Sequence, residues 1–156
     1  MREILFRAKQ KNWRDLPKKE WWVEGYFFDD GFQNPEHYFV GGIEVVPYSG
    51  TADDEWDITG TYFCEIDPET LCQFTGMVDN NGNRIWENDI VLFVDFTSTE
   101  SGYCERDCID RVAWDCECAS FRVSGTLSAE AWEVLQDCVV IGNIFDNPEL
   151  LGQDDG

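Results

Sequence analysis

Basic residues are scarce beyond the amino-terminal end of this chain. Residues 1 to 19 hold seven of the eleven lysines and arginines, which leaves four basic against thirty acidic residues in the remainder. That remainder carries about −26, a field that repels nucleic-acid phosphates and anionic membrane surfaces. The basic segment is interrupted by Trp13, Leu16 and Pro17, so direct nucleic-acid binding is not expected. A basic arm pairing with the acidic body or with a second subunit is the alternative use of that charge. No segment approaches the ~18 consecutive apolar residues of a membrane helix. The opening Met1-Arg2-Glu3-Ile4-Leu5-Phe6-Arg7 has no apolar run of signal-peptide length, so the chain is expected to stay in the compartment where it is made. Histidine occurs once, as His37, so any Ser-His-Asp or Cys-His scheme must use it. Its aromatic setting, His37-Tyr38-Phe39, favours a structural role. Nucleophile-elbow, P-loop and dinucleotide fingerprints are all missing, and no catalytic residue is assigned.

Aromatic residues, by contrast, are plentiful. Seven tryptophans and eleven phenylalanines in 156 residues are more than an acidic disordered segment carries, so one ordinary folded domain over residues 1–151 is expected. Its sub-parts are read as 1–65 and 66–151, followed by a frayed acidic tail at 152–156. β-branched and aromatic residues cluster in short runs between Gly, Pro, Asn and Asp, which points to a mainly β, β-rich α+β fold. Strands are expected around Leu5, at Trp21–Phe28, His37–Val46, Thr61–Ile66, Gln73–Met77, Ile90–Phe96, Ile109–Trp114, Ser120–Val123 and Val139–Phe145. Tyr48–Gly60 reads as a charged loop. One short helix is expected near the C-terminus, capped by Ser128 and running from Ala129 to Asp137.

The stretch Ile66–Val91 is the most informative. Asp67-Pro68-Glu69-Thr70 is a turn, and Asn80-Asn81-Gly82-Asn83 supplies the positive φ angles of a tight hairpin. With the opening Arg2-Glu3-Ile4-Leu5-Phe6-Arg7-Ala8 and the closing Ile141-Gly142-Asn143-Ile144-Phe145-Asp146-Asn147-Pro148-Glu149-Leu150-Leu151, this pattern resembles the YopX family of phage and prophage proteins. Asn88 stands where that family usually has Gly, and Trp86 where Tyr or Phe is common. The resemblance implies a small SH3-like barrel in the second half, packed with an N-terminal β region, in a protein of a phage or prophage in the cytoplasm of a bacterial host. It brings no functional residues. Gly76, Asp79, Gly82, Glu87 and Asp89 are read as structural, because Gly supplies turn geometry and carboxylates accept backbone hydrogen bonds there.

Three constellations could carry chemistry. Cys104, Cys108, Cys116 and Cys118 place four of the seven cysteines within fifteen residues, enough thiolates for a tetrahedral zinc ion. Their spacing departs from paired C-x2-C knuckles, however, and reduced thiols are the plainer account of an odd cysteine count. Asp79, Asn81 and Asn83 imitate the first positions of a calcium loop, but Arg84 replaces the required glycine and Ile90 the bidentate glutamate. That segment is therefore read as a hairpin turn, and no metal or cofactor is assigned. Third, Trp21-Trp22 with Tyr26, Phe27, Phe28, Phe32, Tyr38 and Phe39 exceed what one strand's inward face can bury, so some can serve a subunit contact while most belong to the core.

Together these features favour a non-enzymatic accessory or interaction protein with a protein partner or self-association. Two alternatives are an acidic inhibitor that mimics nucleic acid to occupy a nucleic-acid-binding protein, and a zinc-dependent regulator using the four clustered cysteines.

Overall fold

The computed structural model describes residues 3–47, 56–123 and 134–152. Most of the expected loop at Tyr48–Gly60, the first part of the expected helix, and residues 153–156 of the expected tail lie outside the described residues. Within the remaining part of that helix, Val134 is helical and Leu135 and Gln136 already form a turn.

The fold is mainly β. The chain divides into a first unit, Ile4–Gln73, and a second, Met1–Glu3 with Phe74–Gly156. In the first unit β1 (Phe6–Lys9), β2 (Trp22–Asp29), β3 (Tyr38–Pro47) and β4 (Trp56–Glu65) form an antiparallel sheet. The start of β5 (Cys72–Val78) pairs with β1 on its other side. Strand alternation divides this sheet cleanly. Ala8, Val40 and Ile66 are fully or nearly fully buried on one face, packed by Phe6, Val23, Phe27, Tyr38 and Leu71. Phe27 stacks on Tyr38 and tilts against Phe6 there, at 6.0 and 5.5 Å between ring centroids. Residues one position away, including Arg7, Lys9, Trp22 and Tyr26, must point to the other face.

β4 begins at Trp56 and pairs with β3 as far as Pro47↔Trp56, so the strand takes in residues expected to be loop. Asp57 and Gly60 dilute the local strand signal, but the partner strand supplies the pairing.

In the second unit β5 continues and pairs with β6 (Arg84–Trp86). A four-stranded antiparallel sheet follows in the order β10-β7-β8-β9, built from β7 (Asp89–Thr99), β8 (Gly102–Asp115), β9 (Ser120–Val123) and β10 (Cys138–Asn143). The expected SH3-like barrel is corrected here. Among the described residues β9 and β10 are the edges of an open sheet, because the four-residue β9 pairs only with the end of β8. The core of this unit is larger: Ile85, Val91, Phe93, Val112, Phe121, Val123, Leu135 and Cys138 are buried together. No helix among the described residues is long and apolar enough to cross a membrane.

Candidate interaction surface

Cross-strand register assembles a surface on the face of the first sheet opposite its core. Tyr26, Gly41 and Phe63 form one row across β2, β3 and β4, and Phe28, Phe39 and Glu65 form the next. Gly41 is required in that row, because a Cβ there would clash with the Tyr62 carbonyl oxygen and fall 2.9 Å from the Phe63 ring. The missing side chain lets Phe63 lean across β3. Phe28 meets Phe63 edge-on at 5.0 Å and stacks on Phe39 at 6.1 Å, arrangements that complement the ring quadrupoles. Among the described residues nothing covers the result: Tyr26 is 59%, Phe63 54% and Ile43 56% exposed.

The other end of the same face is covered by the chain itself. Lys9 pairs with Trp22 in the β1–β2 ladder, and its side chain is only 1% exposed. Its ammonium lies 3.8 Å from the ring centre of Trp13, 4.4 Å from Trp21 and 5.5 Å from Trp22. Each indole face presents negative quadrupole density to the cation, an attraction that offsets the cost of taking the ammonium out of water. Two 3-10 turns, Trp13–Asp15 and Lys18–Glu20, carry Trp13 over the lysine and lead directly into Trp21. Trp21 Nε1 donates to the Leu16 carbonyl at 2.9 Å, the Gln10 amide donates to the Trp21 carbonyl at 2.8 Å, and Gln10 Nε2 donates to the Glu20 carbonyl at 2.7 Å. The strand beneath is fixed as well, since the Lys9 amide donates to Thr70 Oγ1 at 2.8 Å and Thr70 in turn donates to the Asp67 carbonyl at 2.7 Å. Further cations ring the outside: Arg7 lies over Trp22, Arg14 over Trp13, and Lys18 beside Trp21.

The expected structural residues of the second unit are wired as backbone acceptors. Asp79 Oδ1 accepts from the amides of Asn81 and Asn83 at 3.0 and 2.8 Å, and Oδ2 from the Val140 amide at 2.9 Å. Burial, the largest single influence, pushes this carboxyl upward, but the amides of Val140, Asn83 and Asn81 and the Asn83 side chain outweigh it and hold the group below its ordinary value. These oxygens therefore serve a hairpin turn, with Gly82 at φ 80°, instead of the calcium ligation their spacing imitates. Gly76 also takes a positive φ, 88°. The buried Asp89 accepts from the Trp86 amide at 2.8 Å, while Glu87 lies half-buried in the turn before it. Asn88, standing where the resembled pattern has glycine, takes φ 68°, a left-handed conformation that Asn tolerates nearly as readily as Gly.

The four clustered cysteines are not brought together. Cys104 and Cys108 lie on β8, opposite Thr97 and Phe93, where four strand residues separate them by ~13 Å. Cys116 and Cys118 lie exposed in the turn before β9. Among the described residues no group of three or more His, Cys, Asp or Glu side chains is placed to hold a metal ion. The buried Cys138 thiol is pushed up to about 11, first by desolvation and then by the nearby charges of Asp79, Asp137 and Asp89, which makes it a poor nucleophile. His37 is exposed, with Nδ1 2.6 Å from Glu65 Oε1. Its hydrogen bond, followed by that of Lys11, holds the Glu65 carboxyl below its usual range. A cleft of about 300 Å³ in the second unit is lined, among the described residues, by Thr75, Met77, Trp114, Ala119, Ser120, Phe121 and Leu135, none of them ionisable.

Sequence reasoning identified a surplus of aromatics but not its arrangement. The caged lysine was missed altogether; the close spacing of Lys9, Trp13, Trp21 and Trp22 was its one available signal. Comparison with known proteins agrees with the fold. The family described as YopX protein matches residues 22–152, and the chain belongs to that family. A solved structure, that of protein EF1440 from Enterococcus faecalis, is similar with a TM-score of 0.55 and 21% identity, over 97% of this chain and 99% of that one. At that identity the likeness concerns the fold. No curated protein matches the chain.

Proposed function

We propose that this member of the YopX family is a non-enzymatic accessory protein of a phage or prophage, working in the cytoplasm of a bacterial host by binding another protein. The observation that carries the reading is the uncovered aromatic face of the first unit, where Tyr26, Phe63 and Ile43 are each more than half exposed. Isolated exposed apolar side chains are ordinary on a protein surface, whereas a contiguous aromatic patch on a sheet face marks a contact surface. Aromatic residues are also the side chains enriched at the centres of protein interfaces. The deciding experiment is affinity capture by the tagged full chain from a lysate of the natural host, alongside a Tyr26→Ser/Phe63→Ser variant. A protein captured by the wild type and lost from the variant supports the reading. Equal capture by both, or capture by neither, overturns it.

A second reading, mimicry of nucleic acid, is favoured by the charge of the second unit, which holds five basic and eighteen acidic residues and no lysine. Under this reading the captured partner is a nucleic-acid-binding protein, is released by salt and is displaced by duplex DNA. Retention in the presence of excess duplex sinks it.

A further inference from the structure

The basic segment around the caged lysine and the far end of the β7–β8 hairpin are complementary surfaces. Of the chain's four lysines all lie between Lys9 and Lys19. Lys9 is sealed, whereas Lys11, Arg14, Lys18 and Lys19 are exposed. The tryptophan cage anchors the two 3-10 turns that carry Arg14, Lys18 and Lys19, through Trp13 and Trp21, and Arg14 and Lys18 themselves lie against Trp13 and Trp21. A held array loses less side-chain and loop entropy on binding than a flexible basic tail does.

The hairpin has the opposite character. Val91 and Phe93 on β7 and Val112 on β8 belong to the core of the second unit. Beyond them Gly102–Asp107 is exposed at every position, although its side chains alternate between the two faces. That part of β8 is therefore covered on neither face. It carries Glu105 and Asp107, with Glu100 at the turn and Tyr103 86% exposed. Carboxylates beside an uncovered phenol ring suit lysine and arginine twice over, by charge and by cation–π contact.

We infer that the loop Lys11–Lys19 of one copy binds the acidic Glu100–Asp107 hairpin of a second copy of this chain. The inference rests on the reading of the chain as a binding protein and names a surface separate from the aromatic face. Nucleic acid is the less suitable occupant, because Trp13, Trp21 and Trp22 are already engaged by the chain's own cations and so offer poor platforms for base stacking. Two copies that are each strongly acidic repel at long range. That repulsion is screened beyond ~10 Å at 0.1 M salt, while facing charges in contact still attract.

Sedimentation velocity of the full chain at 0.1 M and 0.5 M salt tests this directly. The wild type is expected above its 18.0 kDa monomer mass in 0.1 M salt and at that mass in 0.5 M. Arg14→Glu/Lys18→Glu/Lys19→Glu and, separately, Glu100→Lys/Glu105→Lys/Asp107→Lys should each weaken association at least tenfold. An equal mixture of the two variants should restore it, because the reversed loop then meets the reversed hairpin. Wild type that stays monomeric at 0.1 M salt, or association untouched by both reversals, overturns the inference. Tyr26→Ser/Phe63→Ser in the same experiment keeps the two readings apart: it should leave self-association intact while abolishing lysate capture, and loss of self-association in that variant also overturns the inference.

Discussion

The two units of this chain solve burial differently. Among the described residues the core cluster of the first unit holds three fully or nearly fully buried residues, Ala8, Val40 and Ile66, with half-buried aromatic and aliphatic neighbours around them. It also seals a lysine under tryptophans. The second buries eight core residues together and directs its buried carboxylates at backbone amides. It is the more acidic of the two, at −13 against −8 by count of residues. A larger buried core with internally satisfied turns is a device for holding a shape. A sheet with aromatics on both faces, one of them open, leaves apolar area available for a partner. The second unit thus reads as scaffold and the first as contact surface.

Core truncation gives the largest test of this contrast. Ile85→Ala should cost about 4 kcal/mol, since it leaves a cavity in a tightly packed site, and Val40→Ala in the first unit about 2 kcal/mol. Urea unfolding measures both, and hydrogen exchange assigns each loss to its own strands. Equal losses would break the contrast. Next is Asp79→Asn, which removes the charge from an acceptor of three backbone bonds and should cost about 2 kcal/mol. Because the folded carboxyl sits below its ordinary value of ~3.9, its contribution is complete above that value and disappears as pH falls through the lower folded one. Wild type should therefore lose stability more steeply than the variant on acidification below about pH 4. Parallel acid limbs would refute the assignment.

Smaller again is Lys9→Met, which keeps the length of the side chain and removes its charge. A loss of about 1–2 kcal/mol is expected from the cage, read from the thermal midpoint and from tryptophan fluorescence. No change would mean that the methylene stem fills the cage and that the ammonium adds nothing. The smallest effect is expected at Asn88. Asn88→Gly should stay within about 0.5 kcal/mol, whereas Asn88→Ala should cost about 1 kcal/mol, because only the latter puts a plain Cβ into left-handed backbone.

Much of the strand order was legible because alternation and turn chemistry are local. Ser120–Val123 is found where its β-branched and aromatic run places it, and the Asp79–Asn83 turn closes as its Asn and Gly residues dictate. The start of β8 was not legible. The strand was expected only from Ile109, yet ten residue pairs between Ile90–Thr99 and Gly102–Arg111 carry it back to Gly102. Charged residues have no objection to a strand that is exposed on both faces. The barrel expectation failed for a related reason, since nothing local in β9 says how far its pairing extends.

For the candidate surface, the sequence by itself determined the ingredients: a surplus of aromatics, basic residues concentrated near its beginning, and turn residues that end each strand. These follow from residue type and a period of two, which depend only on near neighbours. Tertiary structure alone decided that Tyr26 and Phe63 share a row across Gly41, that Lys9 lies beneath three indoles, and that the four clustered cysteines stay apart. Each of those outcomes depends on register and packing between segments brought together only by folding, which no local pattern encodes.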